Sequence, residues 1–236
     1  MGFEMSFQTK DKICFAMDLM ANDLCIYLKR RPSYCSRNAL RWAVQMTLGI
    51  NALHEIGIIH RDIKAGNILI DVRENVRITD FGLSYVNKDE GPLDRQRNYS
   101  ADAMGTTHTI APEVLRNLTD PRPSEYGAPV DWWSLGCVIY ELVSKKHKAR
   151  SKDDIFSYVS WCSSRDEPSK QFPAFEDLGP NTTDLISGLL QPIPSSRFGF
   201  AEVVNHRSFL SKDGTSEFLD AYSRGELNLI RLRTSC

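Results

Sequence analysis

Five polar side chains lie close together in the segment IIHRDIKAGNILI, residues 58–70, between two apolar runs. They are His60, Arg61, Asp62, Lys64 and Asn67. A charged loop after a helix is usually a solvated connection, so none of these residues taken alone indicates a function. The segment nevertheless constrains the fold strongly, because the chain around it must bury both apolar flanks and still bring the polar groups to one place.

Composition limits the class of protein. The chain has 236 residues, 42% hydrophobic and 25% charged, which is typical of a globular protein with one sizeable core or two small ones. Lys plus Arg (29) nearly equals Asp plus Glu (30), so we expect neither nucleic acid nor a membrane surface as a partner. The six cysteines form no CxxC pair, which favours the reducing cytoplasm or nucleus as the location.

The first part of the chain alternates strands and a helix. FEMSFQ and KICFAMDLM, separated by the polar turn TKDK, predict a hairpin. After Ser36, apolar residues recur at helical spacing until Gly57, which predicts a long helix leading into the polar segment. ILIDVRENVRITDFG then predicts two short strands around a turn at Arg73 to Asn75.

The second part is helical after a long surface loop, predicted at residues 84–110. The apolar stretch WWSLGCVIYELV is too short and too polar to cross a bilayer and predicts a central buried helix at 130–144. Further helices are predicted at 153–160, at TTDLISGLL, with Thr and Asp as caps, and at FAEVVNHRSFL. Residues 211–236 are expected to form a loosely attached tail.

Further motifs follow the polar segment in a fixed order. Asp80 stands in TDFGLS, then come APE at 111–113, DWWSLG at 131–136 and Arg197 in SSRFG. In this order the chain resembles the catalytic region of eukaryotic protein kinases, whose motifs are H-R-D-x-K-x-x-N, D-F-G and A-P-E. The stretches SFQTKDKICFAMDLM, VDWWSLG and SSRFGFAEVVNHRSFL are most similar to the cyclic-AMP-dependent kinase (AGC) group.

The resemblance implies ATP and Mg2+ as cofactors and a role for each polar residue. Asp62 would accept the proton of the substrate hydroxyl, and Lys64 would sit beside the transferring phosphate as a point charge. Asn67 and Asp80 would be the oxygen ligands of magnesium. Thr106 occupies the family position that touches Asp62 and Lys64, and this pattern is the serine/threonine version of the loop.

Weaker assignments concern the nucleotide. By resemblance Met17 is the gatekeeper, residues 18–20 form the adenine-contacting hinge, Asp23 lies near the ribose and Leu69 lies under the base. The predicted cofactor-binding set is therefore Asp18, Met20, Asp23, Leu69 and Lys64.

Other residues are expected to be structural. His60 and Phe81 pack as core in this family, and Asp131 resembles the aspartate that anchors the catalytic-loop backbone. Glu113 and Arg197 resemble a buried ion pair.

The expected fold is mainly α (α+β), a kinase-like large helical lobe with a two-strand remnant of the small β lobe. The expected divisions are small-lobe remnant and hinge at 1–20, large lobe at 21–210 and tail at 211–236. No glycine-rich loop or strand-borne lysine precedes the hairpin, so we expect impaired activity and exposed apolar residues such as Phe3 and Phe7. An incomplete gene product is favoured over a purpose-built fragment.

The segment before APE departs from the family. It is longer than usual, and Thr109 stands where tyrosine is usual. Asp102 occupies the position that relatives commonly phosphorylate, which suggests a fixed negative charge toward Arg61, with Ser100 as the rival site. Asp23 and Glu141 match acidic positions that in related kinases favour basic residues before the target hydroxyl, but Gly66 replaces another acidic residue of that set, so the resemblance implies at best a weak basic preference.

The sequence favours a serine/threonine protein kinase acting as a monomer on Ser/Thr-containing proteins. A pseudokinase or interaction module without phosphotransfer stays open, because the phosphate-binding roof is missing. A small-molecule phosphotransferase is the third possibility, but the complete peptide-docking motif around Thr106 speaks against it.

Overall fold

The structure, a computed structural model, describes residues 3–89, 91–144, 148–163, 172, 175, 177–210, 214, 216 and 218. Helices make up most of its regular structure, which confirms the expected mainly α class. The strands are β1 Phe3–Gln8, β2 Ile13–Met17, β3 Asn22–Asp23, β4 Ile58–Ile59, β5 Ile68–Ile70, β6 Val76–Ile78 and β7 Tyr85–Val86. The helices are α1 Leu24–Arg30, α2 Pro32–Glu55, α3 Pro112–Arg116, α4 Pro129–Val143, α5 Lys148–Ser163, α6 Pro180–Leu189 and α7 Phe200–Val204.

The N-terminal hairpin forms as predicted, with β1 antiparallel to β2 and a turn closed by Thr9 N–H donating to the Lys12 carbonyl (2.8 Å). Strand β2 ends at Met17, earlier than the sequence suggests, because the chain then crosses to β5, where Ala21 N–H donates to the Ile70 carbonyl (2.8 Å). Phe7 is 52% exposed, as expected, whereas the side chain of Phe3 lies outside the described part of the structure.

The region between hairpin and polar segment contains one helix more than predicted. Asp23 Oδ1 accepts the N–H of Ile26 (2.8 Å) and caps α1, which the sequence analysis missed because the helix is only 7 residues long. Helix α2 begins at Pro32, four residues before Ser36, since proline suits the first helical position. Gly57, with φ of 79°, turns the chain out of α2 toward the polar segment.

Helix α4 is the centre of the core, as predicted, and packs against α2 and α6. It is buried along nearly its whole length, including the large side chains of Trp133 and Tyr140. No helix among the described residues is both long and apolar enough to span a bilayer.

Three C-terminal boundaries differ from the prediction. Helix α5 is longer than 153–160, and α6 begins at Pro180 with Gly179 as its N-cap, so the predicted Thr and Asp caps are wrong. The hydroxyl of Thr183 instead donates to the Leu178 carbonyl (3.1 Å). The last predicted helix is split after α7, because His206 is extended and its Nδ1 accepts the N–H of Ser208 (3.1 Å), starting a separate 3-10 turn.

Two predicted irregular segments are more ordered than expected. The loop at 84–110 contains β7, which pairs with β4, and an isolated bridge between Ser100 and Tyr126. The tail prediction for 211–236 lies outside the described residues except at 214, 216 and 218. There Ser216 bridges to Leu210, and Phe218 is 6% exposed with its ring centroid 5.1 Å from that of Phe209, so these two residues contact the preceding part of the chain.

Candidate active site

A buried carboxylate holds the backbone of the polar segment. Asp131, near the start of α4, accepts the N–H of His60 at Oδ2 (2.9 Å) and the N–H of Arg61 at Oδ1 (2.8 Å). His54 Nε2 lies 2.9 Å from Asp131 Oδ2. Burial acts to raise the pKa of Asp131, but the hydrogen bond and charge of His54, with His60, outweigh it and lower the pKa. The anchoring role predicted for Asp131 is confirmed.

Four of the predicted site residues share one hydrogen-bonded cluster. Lys64 Nζ donates to Asp62 Oδ2 (2.7 Å) and to Thr106 Oγ1 (2.8 Å). Thr106 Oγ1 in turn donates to Asp62 Oδ1 (2.6 Å), and Asn67 Nδ2 donates to Asp62 Oδ2 (2.9 Å). Asp62 is only 4% exposed. These contacts fix the plane of the Asp62 carboxylate and place a cation beside it.

Asn67 and Asp80 are connected through the backbone of Thr79. Thr79 N–H donates to the Asn67 carbonyl (3.0 Å), and the Thr79 carbonyl lies 3.0 Å from His60 Nε2. Asp80 follows in the left-handed region (φ 68°) and is exposed. The strand end on which Asp80 sits is therefore held directly against the segment that carries Asn67.

The residues predicted to hold magnesium fit that ion. Asn67 Nδ2 donates to the Asp62 backbone carbonyl and carboxylate (both 2.9 Å), an orientation that keeps its amide oxygen available as a ligand. Asp80 adds a carboxylate, and magnesium favours such hard oxygen donors, with phosphate and water completing its shell. No cluster of three or more His, Cys, Asp or Glu side chains that could hold a metal occurs among the described residues, so a metal here would depend on that mixed set.

The predicted nucleotide residues are only partly brought together. Asp23 pairs directly with Leu69 across the β3–β5 ladder, so these two lie side by side. Asp18 is exposed and Met20 half-buried in the connection between β2 and β3. Asp23 also has a capping role in α1 that the sequence analysis did not assign.

The two predicted core residues have different surroundings. His60 is fully buried, as expected, and its ring contacts that of Phe81 with centroids 5.1 Å apart. Phe81 itself is 48% exposed, so its assignment to the core is wrong. It lies in an exposed turn closed by Ser84 N–H donating to the Phe81 carbonyl (3.1 Å), and only one side of its ring is covered by His60.

Hydrogen bonds from Thr109 and from helix α4 hold the segment that carries Thr106. Thr109 is buried, and its hydroxyl donates to the Thr106 carbonyl (3.3 Å). Ser134 Oγ of α4 donates to the Thr109 carbonyl (2.8 Å). The shorter Thr109 side chain therefore has a defined packing role where a larger residue is usual, and the central helix supports the segment.

The predicted buried ion pair joins α3 to the turn before α7. Arg197 Nη1 and Nη2 contact Glu113 Oε1 and Oε2 at 2.7 and 2.9 Å, and Arg197 is 1% exposed. A second ion pair, which no sequence motif indicated, joins Arg95 Nη1 to both carboxylate oxygens of Glu202 (2.8 and 3.0 Å). A lone arginine in a polar loop carries no signal for a partner 107 residues away.

The fold and this cluster define a class of protein. The protein kinase domain family matches residues 2–209, and the chain belongs to that family. Its relatives include RAC-beta serine/threonine-protein kinase of Rattus norvegicus, 32% identical over 89% of this chain and 41% of the relative. Atypical protein kinase C of Drosophila melanogaster is 28% identical over 90% of this chain and 35% of its own length. G protein-coupled receptor kinase 2 of Caenorhabditis elegans is 29% identical over 94% of this chain and 31% of its own length.

These relatives confirm the resemblance to the AGC group, a group of serine/threonine protein kinases. The chain spans about two fifths of the length of the RAC-beta relatives (41%).

Proposed function

We propose that the chain transfers the γ-phosphate of ATP to serine or threonine hydroxyls of a protein. The observation that carries this proposal is the hydrogen-bonded set of Asp62, Lys64 and Thr106. It combines a proton acceptor and a cation on a backbone that Asp131 fixes. Phosphoryl transfer depends mainly on such positioning and charge stabilisation.

Each residue has one task in this reaction. Asp62 accepts a hydrogen bond from the substrate hydroxyl and takes up its proton as that oxygen bonds to the γ-phosphorus, while the bond from the γ-phosphorus to the β,γ-bridging oxygen breaks and ADP leaves. Lys64 places its positive charge beside the transferring phosphate. Thr106 holds the side chains of Asp62 and Lys64 in position through a hydrogen bond to each. Magnesium-ATP, when bound, supplies the phosphoryl group, with Asn67 and Asp80 as ligands of the ion.

We expect these 236 residues to transfer phosphate slowly, because residues around the proposed nucleotide position are exposed to solvent. Asp80 is exposed, and Leu19 in the hinge is 89% exposed, so charged contacts to phosphates there would form in a wet environment. Coulomb interactions weaken severalfold between a protein interior and water.

That exposure also favours a second function, a pseudokinase or interaction module that uses the large lobe as a binding surface. Against it stands the Asp62 cluster, since a buried carboxylate and amide must be fully hydrogen-bonded to be tolerated, and a binding surface gains nothing from such an arrangement in one pocket. Phosphotransfer is therefore the better-supported proposal.

We propose only a weak preference for basic residues before the target hydroxyl, because both acidic residues that would recognise them are otherwise placed. Glu141 is 7% exposed, so its carboxylate is not at the surface, and Asp23 accepts a hydrogen bond from Ile26 N–H.

The proposed partner is a protein substrate with Ser or Thr hydroxyls, and the kinase is proposed to act as a monomer. The proposed location is the reducing cytoplasm or nucleus, on the basis of the cysteine spacing in the sequence.

The test is phosphate transfer from labelled ATP, with magnesium, to matched peptides whose single hydroxyl is Ser, Thr or Tyr. We expect transfer to Ser and Thr, and a loss of about 10²- to 10⁴-fold in Asp62→Asn, the range for a missing acid-base group. Equal incorporation by both proteins would eliminate the catalytic proposal and favour the interaction module. Preferred transfer to Tyr would contradict the serine/threonine assignment.

A further inference from the structure

A buried glutamine of α2 contacts both the turn between β5 and β6 and the first residue of β6. Gln45 Oε1 accepts the N–H of Val76 (2.9 Å), and Gln45 Nε2 donates to Asn75 Oδ1 (2.9 Å). Arg41, one turn earlier in α2, donates from Nη2 to the same Asn75 oxygen (2.8 Å). Gln45 is 7% exposed and Asn75 is 9% exposed. Because buried polar groups need hydrogen-bond partners, this network fixes one arrangement of the helix against the turn.

The turn itself has a backbone conformation that needs support. Glu74 has φ of 65°, in the left-handed region, which costs free energy for a residue with a Cβ. Trp42 Nε1 of α2 donates to the Glu74 carbonyl (2.9 Å), and Asp71 Oδ1 accepts the N–H of Asn75 (2.9 Å). Contacts from α2 and within the turn therefore hold this conformation.

The proposed magnesium ligands lie at the opposite end of the same short hairpin. Strands β5 and β6 pair antiparallel, beginning with Ile70 and Val76 next to the turn. At the other end Thr79 N–H donates to the Asn67 carbonyl (3.0 Å), and Asp80 follows directly. A slip of one residue in this ladder would turn every side chain of β6 to the other face. The register that is set at the turn therefore decides how Asp80 lies relative to Asn67.

Helix α2 contacts β6 near its far end as well. Gly49 lies one helical turn after Gln45 and hence on the same face of α2. A Cβ on Gly49 would lie 3.0 Å from Ile78 Cδ1, so the helix backbone passes close to the last residue of β6. One face of α2 thus contacts β6 at both ends, and its polar contact is the one made by Gln45.

We propose that Gln45 is a positioning residue for the magnesium ligands, which sets the position of Asp80 relative to Asn67 through the register of the β5–β6 hairpin. The inference deepens the proposed function and rests on it for the identity of the bound ion. Val76 offers an N–H and Asn75 Oδ1 offers lone pairs, so the side chain between them must supply one acceptor and one donor. A glutamine amide supplies both.

The primary test is hydrogen exchange at the Thr79 amide, measured without nucleotide or metal. Gln45→Met keeps the length of the side chain and removes its acceptor and donor. We expect this change to speed Thr79 exchange by about two- to thirtyfold, the range for coupling along a packed network. The Leu190 amide, which donates to the Ile186 carbonyl (2.8 Å), is the reference in the same protein, because general loss of stability would speed its exchange equally.

The matched control is Thr47→Val in the same helix. Thr47 is fully buried, and its hydroxyl has no hydrogen-bond partner in the part of the chain that the structure describes. Its loss leaves the β5–β6 turn unchanged, so Thr79 should exchange as in the parent protein.

Two further variants complete the series. Gln45→Glu keeps an acceptor for Val76 N–H beside the Arg41 guanidinium, so we expect it to retain more of the Thr79 protection than Gln45→Met does. Should Gln45→Met fail to fold, Asn75→Ala removes the same link from the turn side, where fewer apolar contacts are lost, and should speed Thr79 exchange in the same way.

The second readout is the magnesium concentration that gives half of the ATP-dependent thermal shift. We expect this concentration to rise by about two- to thirtyfold in Gln45→Met and to stay parental in Thr47→Val. A residue that only stabilised the fold would lower the melting temperature and leave this concentration unchanged. A parent protein without any magnesium-ATP shift would count against the proposed function, whereas the exchange result needs no ligand, so the two failures are distinguishable.

Three results would overturn the inference. One is a folded Gln45→Met protein in which Thr79 exchanges as in the parent. Another is equal acceleration of Thr79 and Leu190, because Gln45 would then support the fold as a whole. The third is an unchanged magnesium requirement in Gln45→Met when the parent binds magnesium-ATP.

Discussion

Removing the guanidinium of Arg197 should be among the most destabilising single changes in the large lobe. The arginine is 1% exposed and makes two bonds to Glu113, while Nε donates to the Gln191 carbonyl (2.9 Å) and Nη1 to the Pro129 carbonyl (2.9 Å). Its guanidinium also lies over the ring of Trp133, 5.2 Å from the centroid. Arg197→Met keeps most of the volume but leaves the Glu113 carboxylate, 11% exposed, without its cation.

Breaking a buried pair from one side costs about 3–5 kcal/mol, because the remaining charge is dehydrated and unpaired. For a chain of this size each kcal/mol lowers the melting temperature by about 2–4 °C. Urea unfolding at neutral pH, monitored by circular dichroism, measures the loss in the free energy of unfolding. Glu113→Leu combined with Arg197→Met should be more stable than Arg197→Met alone, since it removes the stranded charge.

The matched control is Arg97→Met, at a pair with Asp89 in which both side chains are more than half exposed (57% and 60%). Solvent screens such a pair, so we expect an unchanged unfolding midpoint. Two results would refute the assignment of Arg197 and Glu113 as a buried ion pair. One is an Arg197→Met protein as stable as Arg97→Met. The other is a double variant no more stable than Arg197→Met alone.

Three further predictions concern single sites. Gly127→Ala would bring a Cβ to 2.3 Å from the Arg97 carbonyl oxygen, so calorimetry should show a loss of about 1–3 kcal/mol, whereas Gly91→Ala, with open space around it, should not. The pKa of Asp131 is lowered in the folded state, so this carboxylate stabilises the fold above its unfolded pKa of about 3.9, and that stabilisation is lost as pH falls through the lower folded value. Urea unfolding from pH 7 downward should therefore show a smaller loss of unfolding free energy with falling pH in Asp131→Asn than in the parent. Burial raises the pKa of the Cys35 thiol to about 11, so this cysteine should resist a disulfide reagent at pH 8 until urea unfolds the protein, and fast labelling of native Cys35 would contradict its burial.

The parts of the site that the sequence predicted are those fixed by short-range order. Asp62, Lys64 and Asn67 are close in sequence, so any fold that buries their apolar flanks brings them together. Asp131 and Arg197 were recognisable through the resemblance to the protein kinase family, in which they match motif positions in DWWSLG and SSRFG.

The parts that the sequence missed depend on contacts without a pattern. The bridge between Ser100 and Tyr126 consists of one residue on each side, too short for an alternating pattern. Helix α1 is short, and its cap Asp23 had already been assigned to the nucleotide. The exposure of Phe81 depends on what covers the second side of its ring, which its own sequence does not encode.

The most direct test of the central claim is magnesium-dependent ATP binding, measured as a thermal shift on the chain and on Asp80→Asn. A ligand that binds only the folded protein raises its stability with the logarithm of ligand concentration. Asp120→Asn, at an exposed turn remote from the Asp62 cluster in sequence, is the control. We predict that magnesium-ATP raises the melting temperature of the parent and of Asp120→Asn, and that Asp80→Asn loses most of the magnesium-dependent part. Equal shifts in all three proteins would contradict the assignment of Asp80 as a magnesium ligand, and with it the proposed site.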